Sequence, residues 1–232
     1  GTGFVGSTLI REALAQGHRV RALARSPQPE HAGIEWVAGA LDKPDTLNAL
    51  ARGSDAVVHV AGVVNAADRA GFEADNVAGT LAMIEATRDA GVRRFVHVSS
   101  LSAREPELSV YGWSKARGET LVQASGLDWT IVRPPAVFGP GDREMLDLFR
   151  MARRGFVLLP PEGQISVIEV SDLARLLLAI LPASEAQAQI FEADDGTTGG
   201  WSHTGFGKAI GKAVGKDVTT LSAPAPLLNL AA

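Results

Sequence analysis

Cysteine is absent from the 232 residues, which excludes disulfides and thiolate chemistry. The absence suits the reducing cytosol, and a cytoplasmic location is expected. No apolar run is long enough to span a bilayer. The longest, Leu176 to Leu181, sits in a helix-like segment and reads as core, so no membrane partner is expected. Basic blocks are missing too. With a net charge of −4, and only the short pairs Arg93-Arg94 and Arg153-Arg154, no nucleic-acid partner is expected either. The histidines at 18, 31, 59, 97 and 203 lack metal-ligand spacing, and no metal site is expected. Tyrosine occurs once, at 111, and lysine five times.

What is present alternates short apolar strands with amphipathic helices. Helix-like 4–16 ends at Gly17, and Arg19–Ala24 reads as a strand broken by Ser26-Pro27-Gln28-Pro29. Gly33–Val37, Ala56–Val60, Phe95–Ser99 and Trp129–Val132 also read as strands. Between them lie helices 44–51, with Asp42 as candidate cap, 69–90, ending at Gly91, and 111–125, ending at Gly126. Continuous apolar strands joined by helices imply an α/β fold, with a doubly wound parallel sheet covered on both faces.

After about residue 134 the rhythm loosens. Glu144–Arg154, Ser171–Leu181 and Ser202–Val214 read as helices, and Ile165–Val170 and Ile190–Glu192 as strands. The expected organisation is a dinucleotide-binding domain over 1–140 and a smaller substrate lobe over 141–232, with later segments free to return to the sheet. Both ends look cut. The chain opens inside a glycine-rich turn with no strand before it, and closes on an apolar stretch, Pro224–Ala232, that reads as the start of a helix.

That opening turn, Gly1-Thr2-Gly3-Phe4-Val5-Gly6, leads into a helix as a dinucleotide loop does. Glycines there permit a tight turn and close approach of backbone to a pyrophosphate. The helix N-terminus adds unpaired N–H groups and a positive dipole end. The end of the next strand selects the cofactor. A carboxylate there would bind both ribose hydroxyls of NAD and repel a 2′-phosphate. This chain has Leu23-Ala24-Arg25-Ser26, and the planar donor fork of Arg25 suits phosphate. The sequence favours NADP, with NAD as the alternative and Arg25 otherwise a solvated charge.

Tyr111 and Lys115 are four apart. On a helix they share a face and reach a common ligand. A neighbouring cation favours phenolate over phenol. Such a tyrosine passes protons to or from a substrate oxygen near neutral pH, with a nearby serine hydroxyl holding that oxygen. This is the chemistry of carbonyl–alcohol interconversion beside a nicotinamide. Taken alone, Tyr-x-x-x-Lys reads first as a half-buried tyrosine and a solvated lysine, and the rest of the chain reverses that order.

The chain resembles the extended short-chain dehydrogenase/reductase family, the group containing nucleoside-diphosphate-sugar epimerases and dehydratases. The resemblance covers nearly all of 1–180. Its marks occur in the family's order: Gly3-Phe4-Val5-Gly6, His59-Val60-Ala61-Gly62, Asn76-Val77-Ala78-Gly79-Thr80, Val98-Ser99-Ser100, Tyr111 to Lys115, and Arg133 to Pro140. The resemblance implies a Rossmann fold and NADP, or NAD, bound by Gly1, Thr2, Gly3, Phe4, Val5, Gly6 and Arg25. It makes Tyr111 the acid/base, with Ser100 orienting the substrate oxygen. Lys115 would lower the phenol's pKa and bind the nicotinamide ribose. Ala61 and Gly62 would run beside the cofactor, and Pro134 to Val137 beside its carboxamide. Asn76 would help place the active-site strand and helix. The run Val20 to Arg25 looks most like the NADP-using reductases.

Two departures count. Gly39-Ala40-Leu41 stands where the family often has Gly-Asp-Leu, so only backbone near Leu41 remains to meet the adenine. Ser100 and Tyr111 also lie closer together than in many sugar epimerases. The readings left open are an oxidoreductase or epimerase acting on a small-molecule hydroxyl or carbonyl, a nucleotide sugar among the candidates, a ketone or hydroxysteroid-like reductase, and a non-catalytic NADP-binding sensor or structural subunit. A homodimer through helices 69–90 and 111–125 is the assembly the resemblance implies.

Overall fold

The computed structural model describes residues 1–222. The stretch from Pro224, read above as the start of a helix, lies outside the described residues. In chain order the elements are α1 (Phe4–Ala15), β1 (Val20–Ala24), β2 (Ile34–Ala38), α2 (Pro44–Ala51), β3 (Ala56–His59), α3 (Arg69–Phe72), α4 (Gly79–Asp89), β4 (Arg94–Val98), α5 (Val110–Gln123), β5 (Asp128–Arg133) and β6 (Ala136–Phe138). Then follow α6 (Leu146–Arg153), β7 (Phe156–Leu159), β8 (Gln164–Ile165), β9 (Val167–Glu169), α7 (Val170–Ala179), β10 (Gln189–Glu192), β11 (Trp201–Ser202), α8 (His203–Ala213) and β12 (Thr219–Ser222).

Two compact units divide these elements. Gly1–Pro134 with Val170–Ala193 makes the first; Pro135–Glu169 with the segment from Asp194 on makes the second. In the first, β1 pairs with β2 in parallel, and a four-stranded parallel sheet runs β10-β5-β4-β3. Every residue of β4 is buried, as a central strand covered on both faces requires. Helices α1 and α7 pack together, and α2, α4 and α5 form another packed group. The core gathers Leu47, Met83, Ile84, Phe95, Val122 and Ile131. This is a doubly wound α/β fold of the Rossmann type.

Local chemistry sets the helix ends. The Ser109 hydroxyl accepts from Gly112 N at 2.9 Å and opens α5 one residue before the expected start. Gly17, Gly91 and Gly126 take positive φ just past α1, α4 and α5, as read from the sequence. Asp42 does not cap α2. That helix starts on Pro44 with Lys43 before it, and the fixed proline φ does the work of a cap. The helix read over 69–90 is not continuous α-helix: α3 and α4 are joined by a π-helical turn, Glu73–Ala78.

The second unit pairs β6 with β9 and β7 with β12 in parallel, and β8 with β11 antiparallel. Val157, Leu159, Val167, Phe206 and Ile210 form its core. Strands β6, β7, β11 and β12 went unread in the sequence. Among the described residues no helix is long and apolar enough to cross a membrane, and no group of His, Asp and Glu could hold a metal ion.

Candidate active site

The glycine loop folds back on itself. A Cβ on Gly6 would lie 2.9 Å from the Gly1 carbonyl oxygen, and one on Gly1 would lie 2.9 Å from Ala22 Cβ in β1. Both must be glycine for the loop to close against the strand. Around Gly3 a Cβ would meet no neighbouring atom, so the face before the helix is open. Helix α1 starts there without a side-chain cap, which leaves its first N–H groups for a ligand. Thr2 is exposed, and Phe4 and Val5 are half-buried in the first turn. Arg25 follows β1 directly, exposed and without a carboxylate partner among the described residues. The Leu41 side chain packs toward Gly79, at 2.7 Å from where a Cβ there would stand; only its backbone is left for a ligand.

Beyond β3, Ala61 and Gly62 form an exposed turn held from behind by Asn76. Asn76 Oδ1 accepts from Val63 N at 2.8 Å, and Nδ2 donates to Val63 O and to Ser114 Oγ, both at 2.9 Å. A Cβ on Gly62 would stand 2.7 Å from Asn76 Oδ1 and 3.8 Å from Lys115 Nζ. The π-helical turn carries this asparagine, and such turns recur at functional sites. A polar chain continues behind it. The Thr80 hydroxyl donates to Asn76 O at 2.8 Å, so its oxygen accepts from His59 Nε2 at 3.2 Å, which fixes the His59 tautomer. At the other end Ser114 Oγ donates to the Tyr111 carbonyl at 2.7 Å.

Ser100 follows β4, and its hydroxyl accepts from Ser102 N at 3.2 Å. The Ser100 hydroxyl lies near enough to the Tyr111 phenol to favour its ionised form. Lys115 is buried one turn along α5 and donates from Nζ to the Val98 carbonyl at 2.8 Å. Burial pulls its ammonium down to about 8, against the Glu119 carboxylate. Burial also pushes the Tyr111 phenol up, with the Ser100 hydroxyl acting the other way. The lowering of the phenol expected from Lys115 is therefore corrected: desolvation sets the direction, and the ammonium is engaged by Val98 O. The Phe72 ring lies 6.1 Å from that of Tyr111, and the Arg69 guanidinium sits 3.8 Å over the Trp113 ring.

The structure thus brings Ser100, Tyr111, Lys115, Asn76 and Gly62 together. Pro134 is buried after β5 and accepts from Leu101 N at 2.9 Å, while Val137 belongs to the second unit, opposite Ile168. Sequence reasoning missed Glu119, whose carboxylate binds the neighbour of Ser100. Its position one turn past Lys115 was the available signal. It also missed the stacked imidazoles of His59 and His97, 5.5 Å apart behind Lys115. Burial pulls His59 down to about 3 and His97 down as well, with Lys115 adding to both.

The model of the NAD(P)H-binding family matches residues 1–182. The chain is 44% identical over 185 residues to ceramide reductase of Caulobacter vibrioides, covering 77% of this chain and 58% of that protein. It is 33% identical over 181 residues to 4-hydroxy-2-methyl-3-oxo-4-farnesyl-3,4-dihydroquinoline-1-oxide ketoreductase of Stigmatella aurantiaca, covering 66% and 54%. It therefore spans a little over half the length of these relatives. Among solved structures, MoeE5 in complex with UDP-glucose and NAD matches with a TM-score of 0.80 at 25% identity, over 96% of this chain and 83% of that one. With the fold, the glycine loop and a match over 1–182, the chain belongs to the NAD(P)H-binding family, among the extended short-chain dehydrogenases/reductases.

Proposed function

We propose that the chain reduces the carbonyl of an apolar small molecule at the expense of NADPH, or runs the reverse oxidation. The observation that carries this reading is the placement of Tyr111 one helical turn from the buried Lys115 on α5, with the buried Ser100 just past the end of β4. The residues fit a dinucleotide. Gly6 and Gly62 sit in turns too tight for a Cβ, the face at Gly3 is open, α1 starts uncapped, and Arg25 stands free for a 2′-phosphate. When bound, the nicotinamide supplies the hydride. Ser100 holds the carbonyl oxygen, and Tyr111 gives it a proton. Because burial raises the phenol, Tyr111 keeps that proton at neutral pH until the oxygen gains negative charge. The Lys115 ammonium, anchored on Val98 O, would hold the nicotinamide ribose. Arg25 selects NADPH over NADH, and the second unit provides the substrate lobe.

Apolar surface flanks the hydroxyls in sequence and packing. Leu108 is 82% exposed and Val110 40%, both within three residues of Tyr111; Val64, two residues past Gly62, is 59% exposed. Phe72 packs beside the phenol. Two relatives are named for a ceramide and a farnesylated ketone, which supports the same substrate character. The likeness to MoeE5 with UDP-glucose supports a second reading, epimerisation or oxidation of a nucleotide sugar. The test follows NADPH absorbance with long-chain 3-keto lipids and bulky cyclic ketones in one panel, and product chromatography with UDP-sugars and NAD or NADP in the other, since epimerisation consumes no net cofactor. Turnover in the first panel is expected. Turnover only in the second would replace the reading, and none in either would leave a dinucleotide-binding sensor.

A further inference from the structure

Behind the Ser100–Tyr111–Lys115 group lies one buried carboxylate. Glu119 stands on α5 one turn past Lys115 and two past Tyr111, on the same side of the helix. Its side chain is 5% exposed. The Ser99 hydroxyl donates to Oε1 at 2.5 Å. Arg133 grips the carboxylate with two bonds, Nε to Oε1 at 2.8 Å and Nη2 to Oε2 at 2.6 Å. A forked pair of this kind fixes orientation as well as charge. Ser99 immediately precedes Ser100, and Arg133 ends β5. The strand ends are laced beside them, Ser99 N to Val132 O at 2.7 Å and Leu101 N to Pro134 O at 2.9 Å. Arg133 also reaches Glu192 at the end of β10, at 3.4 Å, and Arg104 meets Glu192 from the turn after Ser100, at 3.2 Å. The ends of three strands and the start of the Ser100 turn thus converge on a helix through Glu119.

We propose that Glu119 is a positioning residue for the reductive chemistry: clamped by Ser99 and Arg133, it locks α5 onto the ends of β4 and β5 and sets where Tyr111 and Lys115 stand relative to Ser100. The functional consequence rests on the reading above; the clamp itself does not. The carboxylate has a second effect, on charge. Lys115 is faced by His59 of β3 and His97 of β4, both neutral through burial, and by uncharged Asn76 from the π-helical turn. On its own helix it is faced by Tyr111 and Glu119, with Arg133 of β5 beyond. Glu119 is thus the one anion in this set, and it favours the ammonium against desolvation.

The test follows the five lysines of the full chain by NMR with ¹³C at Cε, identifying Lys115 with Lys115→Arg. Glu119→Gln should lower the Lys115 titration midpoint by about one pH unit, a roughly tenfold weaker hold on the proton. Arg133→Gln should raise it, because the cation competing for Glu119 is gone. Ser99→Ala, which removes a hydrogen bond and no charge, should leave it in place. Midpoints that stay fixed in both charge variants, with melting temperatures alone reduced, would overturn the proposal and make the clamp a structural brace. Should Glu119→Gln not fold, the direction of the shift in Arg133→Gln decides. A parent chain that turns over no substrate would sink the functional reading and leave these midpoints as they are.

Discussion

Asn76 closes a two-bond amide pair on Val63, accepting from its N–H at 2.8 Å and donating to its carbonyl at 2.9 Å. The pair welds the turn after β3 to the π-helical turn, and the Asn76–Ser114 bond extends the weld to α5. One buried side chain so fixes both the turn expected beside the cofactor and the helix that carries Tyr111.

Gly62→Ala should break this arrangement. The new methyl would stand 2.7 Å from Asn76 Oδ1, and the turn must shift to admit it. A cost of about 1–3 kcal/mol is expected, shared between stability and NADPH affinity. Fluorescence titration with NADPH checks it. Unchanged affinity and melting temperature would mean that the turn yields without consequence.

Lys115 offers a linkage test. Its proton is lost at about 8 in the folded chain, against an ordinary lysine value of 10.5. Between those values the unfolded chain binds more protons, so stability rises with pH through that window. Below it the folded chain carries a desolvated ammonium. Lys115→Met should therefore raise the melting temperature at pH 7 while turnover collapses. In the parent, carbonyl reduction should fall above about pH 8 as the ammonium is lost. A variant less stable than the parent at pH 7 would show that the Val98 bond outweighs desolvation.

His97 makes the acid side measurable. Among the described residues neither ring nitrogen has a hydrogen-bond partner, and burial keeps the imidazole neutral. Below its ordinary value of 6.5 the unfolded chain takes up a proton that the folded chain refuses, so stability is lost as pH falls. His97→Leu should be neutral or stabilising at pH 7, since a buried unpaired donor is removed, and should flatten the loss between pH 7 and 5. Urea unfolding at the two pH values reads both. Equal slopes in parent and variant would exonerate His97.

The strand–helix alternation of 1–134 was legible because buried parallel strands are continuous apolar runs and their helices end on glycine. Ser100, Tyr111 and Lys115 were legible because their spacing is local: one strand end and one helix face. Asn76 entered only through resemblance, since the π-helical turn that aims it leaves no mark in the composition of Glu73–Ala78. Glu119 was hidden for another reason. Its partners, Ser99 and Arg133, lie 20 and 14 residues away at the ends of β4 and β5, and only the sheet order brings them together. Direction of the Tyr111 shift was misread because spacing shows a neighbouring cation and cannot show burial. Strands β7 and β12 escaped because they pair with each other across more than sixty residues.

Arg25→Ala addresses cofactor choice. Loss of one charged hydrogen bond should weaken NADPH binding by about 1–3 kcal/mol and leave NADH little changed. Equal losses for both nucleotides, by the same titration, would make Arg25 a structural residue.

The most direct measurement is single-turnover reduction by the parent chain and by Tyr111→Phe, on the ketone identified by the NADPH screen. The variant should bind NADPH as the parent does and reduce the ketone roughly 10²–10⁴-fold more slowly, the contribution expected of a positioned proton donor. An undiminished rate with normal NADPH binding would contradict the assignment of Tyr111 and the account built on it.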